Sequence, residues 1–587
     1  MKKILHTLLF LCTVLALSCN DDFLDQEPLN RLDESAVWDD PILVDLFLNS
    51  IYGNLLSSRA RLDQPQGNEW SRSFSSLDCA SDDCDGKLDA FIQNYLKNTI
   101  TPSSDAHFSE QWREGYSLIR KASVLIDRVD EVPTNDPDIN AQMKAEARFL
   151  RAFTHFELAK FFGDVPIIDR EYTLNDDLLV SRSSFEDVIS FIVSEMDLAI
   201  PDLPNPDVKS GRATKGAAMA VKAKALLYLA SPLHTPGGDA ARWTAAADAA
   251  KAVIDLNAYS LHSDFARVIR DKGNAEIIWD RQFSAPNRTT NTSYMWEIAD
   301  AGPDGGGWGG LFPTAELVNS FETTDGRTIT DPLSIYDPNR PYENRDKRLE
   351  ATVIYNGQIY KGFRVEIWND DDDTFEQLTD DGQHAIDLPG AGNKITTGYG
   401  LGRKIQNEEL NTNALVNQGD DGNDVFIRYA DILLMFAEAR NEASGPDAAV
   451  YDAINQVRTR AGQPDLTVGL SQTDMRDKII NERRVELAFE EHRLFDLKRW
   501  KLAPVYLNSP MRGHRALPVD LAQAQNYNLD RENNQSPYRI DGGAGFTYSE
   551  FDLPGRDRTW DDKRYFFPVP QAEIDKNPNL LPQNPGW

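Results

Sequence analysis

The chain reads as mainly α: degenerate helix pairs of tetratricopeptide type, interrupted by long irregular insertions and a few short β-hairpins. Three observations predict this. Amphipathic helical patterns come two at a time with short breaks between them. Alanines gather where such helices would cross, as in residues 217–225 and 245–252. Between the helical blocks the pattern turns to Gly, Pro, Asn and Asp without helical period.

The N-terminus comes first. Lys2 and Lys3 precede a mostly apolar run from Ile4 to Leu17, and Leu15-Ala16-Leu17-Ser18 leads into Cys19. A short positive region, a short apolar run and small residues before the cut make a signal peptide, and the run is short for a membrane span. The Cys directly after it matches a bacterial lipobox, so Cys19 is the expected lipidation site and residues 1–18 the expected leader. The first pair of helices follows the N-terminal region. Asn140 to Phe162 places Phe149, Phe153 and Phe156 on one face, with Phe185 to Ile200 as partner. Thr214 can cap a helix through Leu229, which Ser231-Pro232 stops, and Arg242 to Leu256 pairs with it. Tyr429 to Glu442 and Ala448 to Ala461 form a pair across Ser444-Gly445-Pro446. The helical repeats are thus expected over about 105–260 and 425–502. A loop-rich insertion occupies about 262–425 and an irregular segment 503–587, all within one domain from residue 19 onward. In the insertion, Ala351 to Tyr360 (A-T-V-I-Y-N-G-Q-I-Y) predicts a hairpin turning at Asn356-Gly357. Long loops on a compact scaffold usually serve binding.

Charge narrows the class of partner. The sequence holds 61 Lys+Arg and 93 Asp+Glu, a net charge of −32. Removing the leader takes away Lys2 and Lys3 and no acid, so the mature chain is more acidic still. This argues against nucleic acid and against anionic lipid headgroups. Cysteine is sparse. Cys12 lies in the leader, and Cys79 and Cys84 in C-A-S-D-D-C form a possible disulfide of an extracytoplasmic loop.

One segment stands out. Glu482 to Trp500 (E-R-R-V-E-L-A-F-E-E-H-R-L-F-D-L-K-R-W) lacks Gly and Pro and reads as one packed, salt-bridged helix. Val485, Ala488 and Phe489 form its buried stripe, and Arg493, Lys498 and Arg499 crowd its end, where cations suit the helix dipole. Its residue order resembles the C-terminal helix of the SusD/RagB family of outer-membrane nutrient-binding lipoproteins. Glu146 to Pro166, Ile427 to Asn441, Ile454 to Gly462, and the tail with F-P-V-P and N-P-N-L-L-P-Q-N-P-G resemble other segments of that family, in the same order. The resemblance implies a SusD-like fold and loops that build a ligand face. It also implies a lipid-anchored protein exposed on the outer-membrane surface. Its partners would be a glycan and a SusC-like TonB-dependent transporter.

No catalytic constellation stands out: there is no G-x-S-x-G elbow, H-E-x-x-H or phosphate loop. Scattered carboxylates read as solvated surface, including Asp370 to Asp373, although a glycoside hydrolase with a concealed carboxylate pair stays an alternative. A peptide-binding or purely scaffolding member of the fold is another. No cofactor is expected beyond possible calcium. Gly419 to Asp424 (G-D-D-G-N-D) offers Asp420, Asp421 and Asp424 for it, against the plainer reading of a loop.

Loop aromatics are the binding candidates. A flat ring stacks on the apolar face of a sugar while polar neighbours meet its hydroxyls. Trp70 and Arg72 lie in G-N-E-W-S-R-S, shortly before Asp78. Tyr294 and Trp296 lie in N-T-S-Y-M-W-E, Trp308 in G-G-G-W-G-G and Tyr399 in T-G-Y-G. The competing reading is that these rings anchor loops to the helical body, which is preferred for Trp243, Trp279 and Trp500 inside regular patterns.

Overall fold

The computed structural model describes residues 37–55, 76–86, 90–103, 106–206, 211–285, 289, 309–360, 363–365, 367, 395–403, 421–519 and 545–587. Cys19, Trp70, Arg72, Tyr294, Trp296, Trp308, Asp370 to Asp373 and Asp420 lie outside these residues.

Helices carry the body, and each begins where the chain supplies a cap. Helix α1 (Pro41–Gly53) starts at Asp40, whose carboxylate accepts the Ile42 N–H. Helices α2 (Ala106–Arg128) and α3 (Pro137–Phe162) pack together, with α4 (Phe185–Ala199) on the other side of α3. Sandwiched in this way, α3 is buried nearly all round, Phe149 and Phe156 included. Thr214 caps α5 (Lys215–Ala230) through the Ala217 N–H, and Asp239 caps α6 (Ala240–Asp255). Alanines line the α5–α6 contact, because small side chains let helix axes approach closely.

The stack then continues across the insertion. Helix α7 (Tyr429–Ser444) packs directly on α6, and α8 (Ala448–Arg460) and α9 (Gln472–Glu486) pack on α7. An insertion can sit between two touching helices only if its ends are tied. Ile277–Arg281 and Asp424–Arg428 do this by pairing antiparallel at its neck. Trp279 and Phe426, one from each strand, stack at 4.5 Å, and Trp279 stands edge-on to Phe149 and Phe153 at 4.7 Å. The neck is thereby docked on the first helix pair.

Two expectations change. Asn356-Gly357 does turn the chain, with Gly357 at φ 88°, but the flanking residues do not pair with each other. Val353–Ile354 pairs with Gly400–Leu401, and Ile359–Tyr360 with Phe363–Arg364. Val353 and Ile354 are fully buried, and the remote strand lets them satisfy their backbone there, which the local turn does not.

The second change is in Glu482 to Trp500, which is not one helix. Helix α9 ends at Glu486, Phe489 and Glu491 take φ of 61° and 66°, and α10 (Arg493–Arg499) begins after them. Non-glycine residues at positive φ cost roughly 1–3 kcal/mol each, so something must hold them. Buried charge does. The Glu490 carboxylate accepts from Arg428 Nε at 2.7 Å and Arg403 Nη2 at 2.6 Å. Glu486 accepts from Arg428 Nη1 at 2.6 Å and Arg348 Nη1 at 2.9 Å. Past the break, Arg499 meets Asp496 at 2.7 Å and also pairs with Glu438, while Arg483 links Asp496 and Asp431 at 3.0 Å each. The charges of this segment, read as salt bridges of one helix, are the cement between α7, α9, α10 and the neck.

Candidate ligand site

The segment before α2 is an acidic loop turned inward. A short 3-10 turn, Leu77–Ala80, starts at Ser76, whose hydroxyl accepts the Asp78 N–H. Cys79 and Cys84 are joined by a disulfide. Asp78, Asp82, Asp83 and Asp85 are all 1 % exposed or less. Buried carboxylates need partners, and arginines from the far end of the chain supply them. Arg493 grips Asp82 through two nitrogens, at 2.8 and 3.0 Å. Arg484 reaches Asp82 at 2.8 Å and Asp83 at 2.7 Å, and Arg556 reaches Asp85 at 2.8 Å. Asp83 still has one carboxylate oxygen without a partner. Burial raises it to about 6 against the pull of Arg484, with the Asp82 charge adding to the rise. Asp78, expected on the ligand face, is therefore corrected to an interior residue: it accepts the N–H of the strained Glu491 at 3.0 Å. Local sequence could not show this, because the partners lie some four hundred positions away.

Tyr399 is likewise interior, 2 % exposed, where a displayed loop ring was expected. Its burial has a purpose, since it is the base of an aromatic ladder. Tyr399 stacks on His514 (5.7 Å, 6°), and His514 stacks on Tyr548 (5.4 Å, 8°). Tyr342 stands edge-on to all three and stacks on Tyr355 at 4.1 Å. The Tyr342 hydroxyl lies 3.0 Å from His514 Nδ1. Burial lowers His514 to about 4, so the ring is neutral near pH 7. Tyr342, Tyr355, His514 and Tyr548 are half-buried, with the Tyr548 hydroxyl oxygen inside and the Tyr342 hydroxyl turned to His514, so that the ladder offers ring surface.

The ladder needs close backbone approach. His514, opposite Glu550, and Tyr548, opposite Ala516, form a diagonal pair on one face of the antiparallel strands Arg512–Pro518 and Phe546–Asp552. The His514 N–H donates to the Thr397 carbonyl at 2.8 Å. A Cβ on Gly398, at φ 79°, would lie 1.9 Å from the His514 carbonyl oxygen, so only glycine fits. The T-G-Y-G motif is thus a docking point for the strand pair. Tyr342, Tyr355, His514 and Tyr548 were missed in the sequence because they are scattered over three segments. The one available signal was the spacing of Phe546 and Tyr548, two apart, in F-T-Y-S-E-F-D at 546–552. Chemically, half-exposed ring surface suits a ligand with an apolar face that can stack on it.

Among the calcium candidates, Asp421 pairs with Lys272 at 2.8 Å and Asp424 lies in the neck strand. Among the described residues, no helix is long and apolar enough to cross a membrane. Trp243 and Trp279 are packed in the body, and half-buried Trp500 donates its Nε1–H to Glu438 at 2.7 Å.

The family model described as "SusD family" matches residues 275–587, from the neck strand to the C-terminal residue. The chain belongs to the SusD family. A second model, "Starch-binding associating with outer membrane", matches residues 22–229. A SusD-like protein of Formosa agariphila is 27 % identical over 403 residues, which is 67 % of this chain and 70 % of that protein. A crystal structure of a SusD-like protein from Bacteroides fragilis superposes with a TM-score of 0.73 at 26 % identity, covering 96 % of this chain and all of that one. A SusD-like carbohydrate binding protein from the same species gives 0.72 at 24 % identity, over 93 % of this chain and 99 % of that one. A laminarin binding SusD-like protein shares the fold, with a TM-score of 0.61 at 21 % identity over 94 % of this chain and 100 % of its own. The mainly α reading of the sequence is borne out by these neighbours.

Proposed function

We propose that this SusD-family chain is a cell-surface lipoprotein that binds an oligosaccharide or polysaccharide and delivers it to a SusC-type TonB-dependent outer-membrane transporter. The observation that carries the reading is family membership together with relatives described as starch-, carbohydrate- and laminarin-binding. The half-exposed aromatic ladder supports it with ring surface on which the apolar face of a sugar can stack. Trp70, Arg72, Tyr294, Trp296 and Trp308 are proposed to add the loop contacts, and Cys19 to carry the lipid. The role is binding and not cleavage.

The test is a glycan array on the chain without its leader and Cys19, followed by calorimetry on the glycan that it selects. Trp308→Ala is expected to weaken that glycan roughly tenfold, the equivalent of one lost aromatic contact. Steady release of shortened sugars by the purified protein would instead favour a hydrolase. Delivery is tested by gentle detergent extraction. Recovery of the lipoprotein always without the transporter, from membranes that contain both, would count against it.

A further inference from the structure

A concave site that shares no lining residue with the aromatic ladder lies along α9. It is a cleft of about 780 Å³, walled by α9 on one side and by the turn after α10 on the other. That volume falls in the range of small-ligand sites, roughly 300–1,000 Å³, and is unlike a flat protein interface. From the geometry we infer that this cleft is a subsite for a neutral oligosaccharide, which rests on the glycan-binding reading above.

Its walls supply the two surfaces that a sugar needs. Trp500 and Tyr506 line it with aromatic rings, and Ile480 and Val505 with aliphatic surface, Val505 being 70 % exposed. Each ring is held by an arginine over one face, Arg499 at 4.6 Å from Trp500 and Arg493 at 4.7 Å from Tyr506. The rings are therefore fixed in place before any ligand arrives, which lowers the entropic cost of binding.

The electrostatics select a neutral ligand. All four cations lining the cleft already have carboxylate partners within it or behind it. Arg476 holds Glu442 at 2.7 Å and Lys478 holds Glu322 at 2.7 Å. Arg484 and Arg493 are the arginines that clamp Asp83 and Asp82, each at 2.8 Å. An anionic polysaccharide would find no uncommitted cation and would meet exposed Asp474 and Asp477 at the rim. Those rim charges are screened too well to hold a cation, but their oxygens accept hydrogen bonds from hydroxyl groups. Hydroxyls plus apolar C–H faces, without net charge, describe a neutral sugar chain.

The experiment uses the full mature lipoprotein with a panel of neutral polysaccharides that includes laminarin and starch. Hydrogen exchange is read with and without each, beside calorimetry on Tyr506→Ala and Asp477→Ala. Binding is expected to slow exchange over residues 476–484 and 500–506. Tyr506→Ala is expected to weaken it roughly tenfold and Asp477→Ala roughly twofold. Asp477 is exposed, so its variant and the wild-type exchange data decide the matter even if Tyr506→Ala folds poorly. A polysaccharide that binds with full affinity to both variants, without protection at the cleft, overturns the subsite and leaves the proposed function standing. Absence of binding by the whole panel overturns the glycan-binding reading and the subsite together. Loss of transporter co-purification in the variants, with sugar affinity unchanged, would make the cleft a protein contact and overturn the inference.

Discussion

At the scale of single residues, most charged side chains of the Glu482–Trp500 signature are interior residues with assigned partners, and Lys498 departs from that pattern. Its Nζ is buried without a hydrogen-bond acceptor, among the rings of Phe567 at 4.4 Å, Tyr95 at 5.6 Å and Phe495 at 5.8 Å. Burial pushes it well below the usual lysine range, and the nearby Arg564 charge pushes the same way. A ring face offsets part of the desolvation of an ammonium, but hardly all of it. Lys498→Met keeps the length and removes the charge, so it is expected to raise stability by about 1–3 kcal/mol. A thermal melt checks this, and a lower melting temperature would mean that the ring contacts outweigh burial. Arg428 should respond in the opposite sense. Arg428→Met would leave Glu276, Glu486 and Glu490 buried around an apolar side chain and is expected to cost about 3–5 kcal/mol.

At the scale of elements, two positions test how tertiary contacts override local preference. Gly216 lies in the first turn of α5, where alanine would ordinarily gain up to about 1 kcal/mol. A Cβ there would sit 2.0 Å from the Tyr259 hydroxyl oxygen. Gly216→Ala is therefore expected to lose about 1–3 kcal/mol, with part recovered in the double variant with Tyr259→Phe. A gain in melting temperature would show that the Tyr259 ring moves aside freely. The acidic loop is the second case. The Cys79–Cys84 bridge removes freedom from the unfolded chain while the arginines satisfy the folded one. Replacing both cysteines by alanine is expected to cost about 2 kcal/mol for so short a ring. An unchanged melt would assign the loop's order to its ion pairs alone.

For the whole molecule, acid should unfold this protein well above the range where its ion pairs titrate. Burial lowers His155, His234 and His492 to about 3 and His514 to about 4. A histidine held below its unfolded value of about 6.5 is protonated first in the unfolded chain, so each withdraws stability as pH falls below that value. Glu490 and Asp496 behave differently. Burial would raise both, but Arg428 and Arg403 hold Glu490 at about 2, and Arg483 and Arg499 hold Asp496 at about 2. Their contribution is complete above the ordinary carboxylate range and is lost progressively as pH falls from about 4 through about 2. Asp83, raised to about 6, gains its proton in the folded state first and so adds stability on acidification through that value. Glu316, also raised by burial, acts in the same sense, so four histidines oppose two carboxylates, and the melting temperature is expected to fall from pH 7 to pH 4 and further below. Melts across that series check it, and a flat profile down to pH 4 would mean that the histidines take up protons without leaving the fold.

The sequence alone determined the helices, because period, caps and alanine content are local. Thr214 and the breaks at Ser231-Pro232 and Ser444-Gly445-Pro446 are legible wherever the chain folds. It also carried the family, whose marks follow one another along the chain. What it could not state is which remote residues meet. Glu482 to Trp500 reads as a helix because its residues favour one, yet it breaks where Glu490 and Glu486 reach arginines from three other segments. Asp78 and Tyr399 read as displayed residues because their neighbours are polar or glycine. Only the tertiary structure turned them inward, one to an N–H of the strained turn and one to the base of an aromatic ladder. Helix propensity acts over a few residues, whereas a buried charge or ring is satisfied by whatever the fold brings to it, and that is decided by packing across the whole chain.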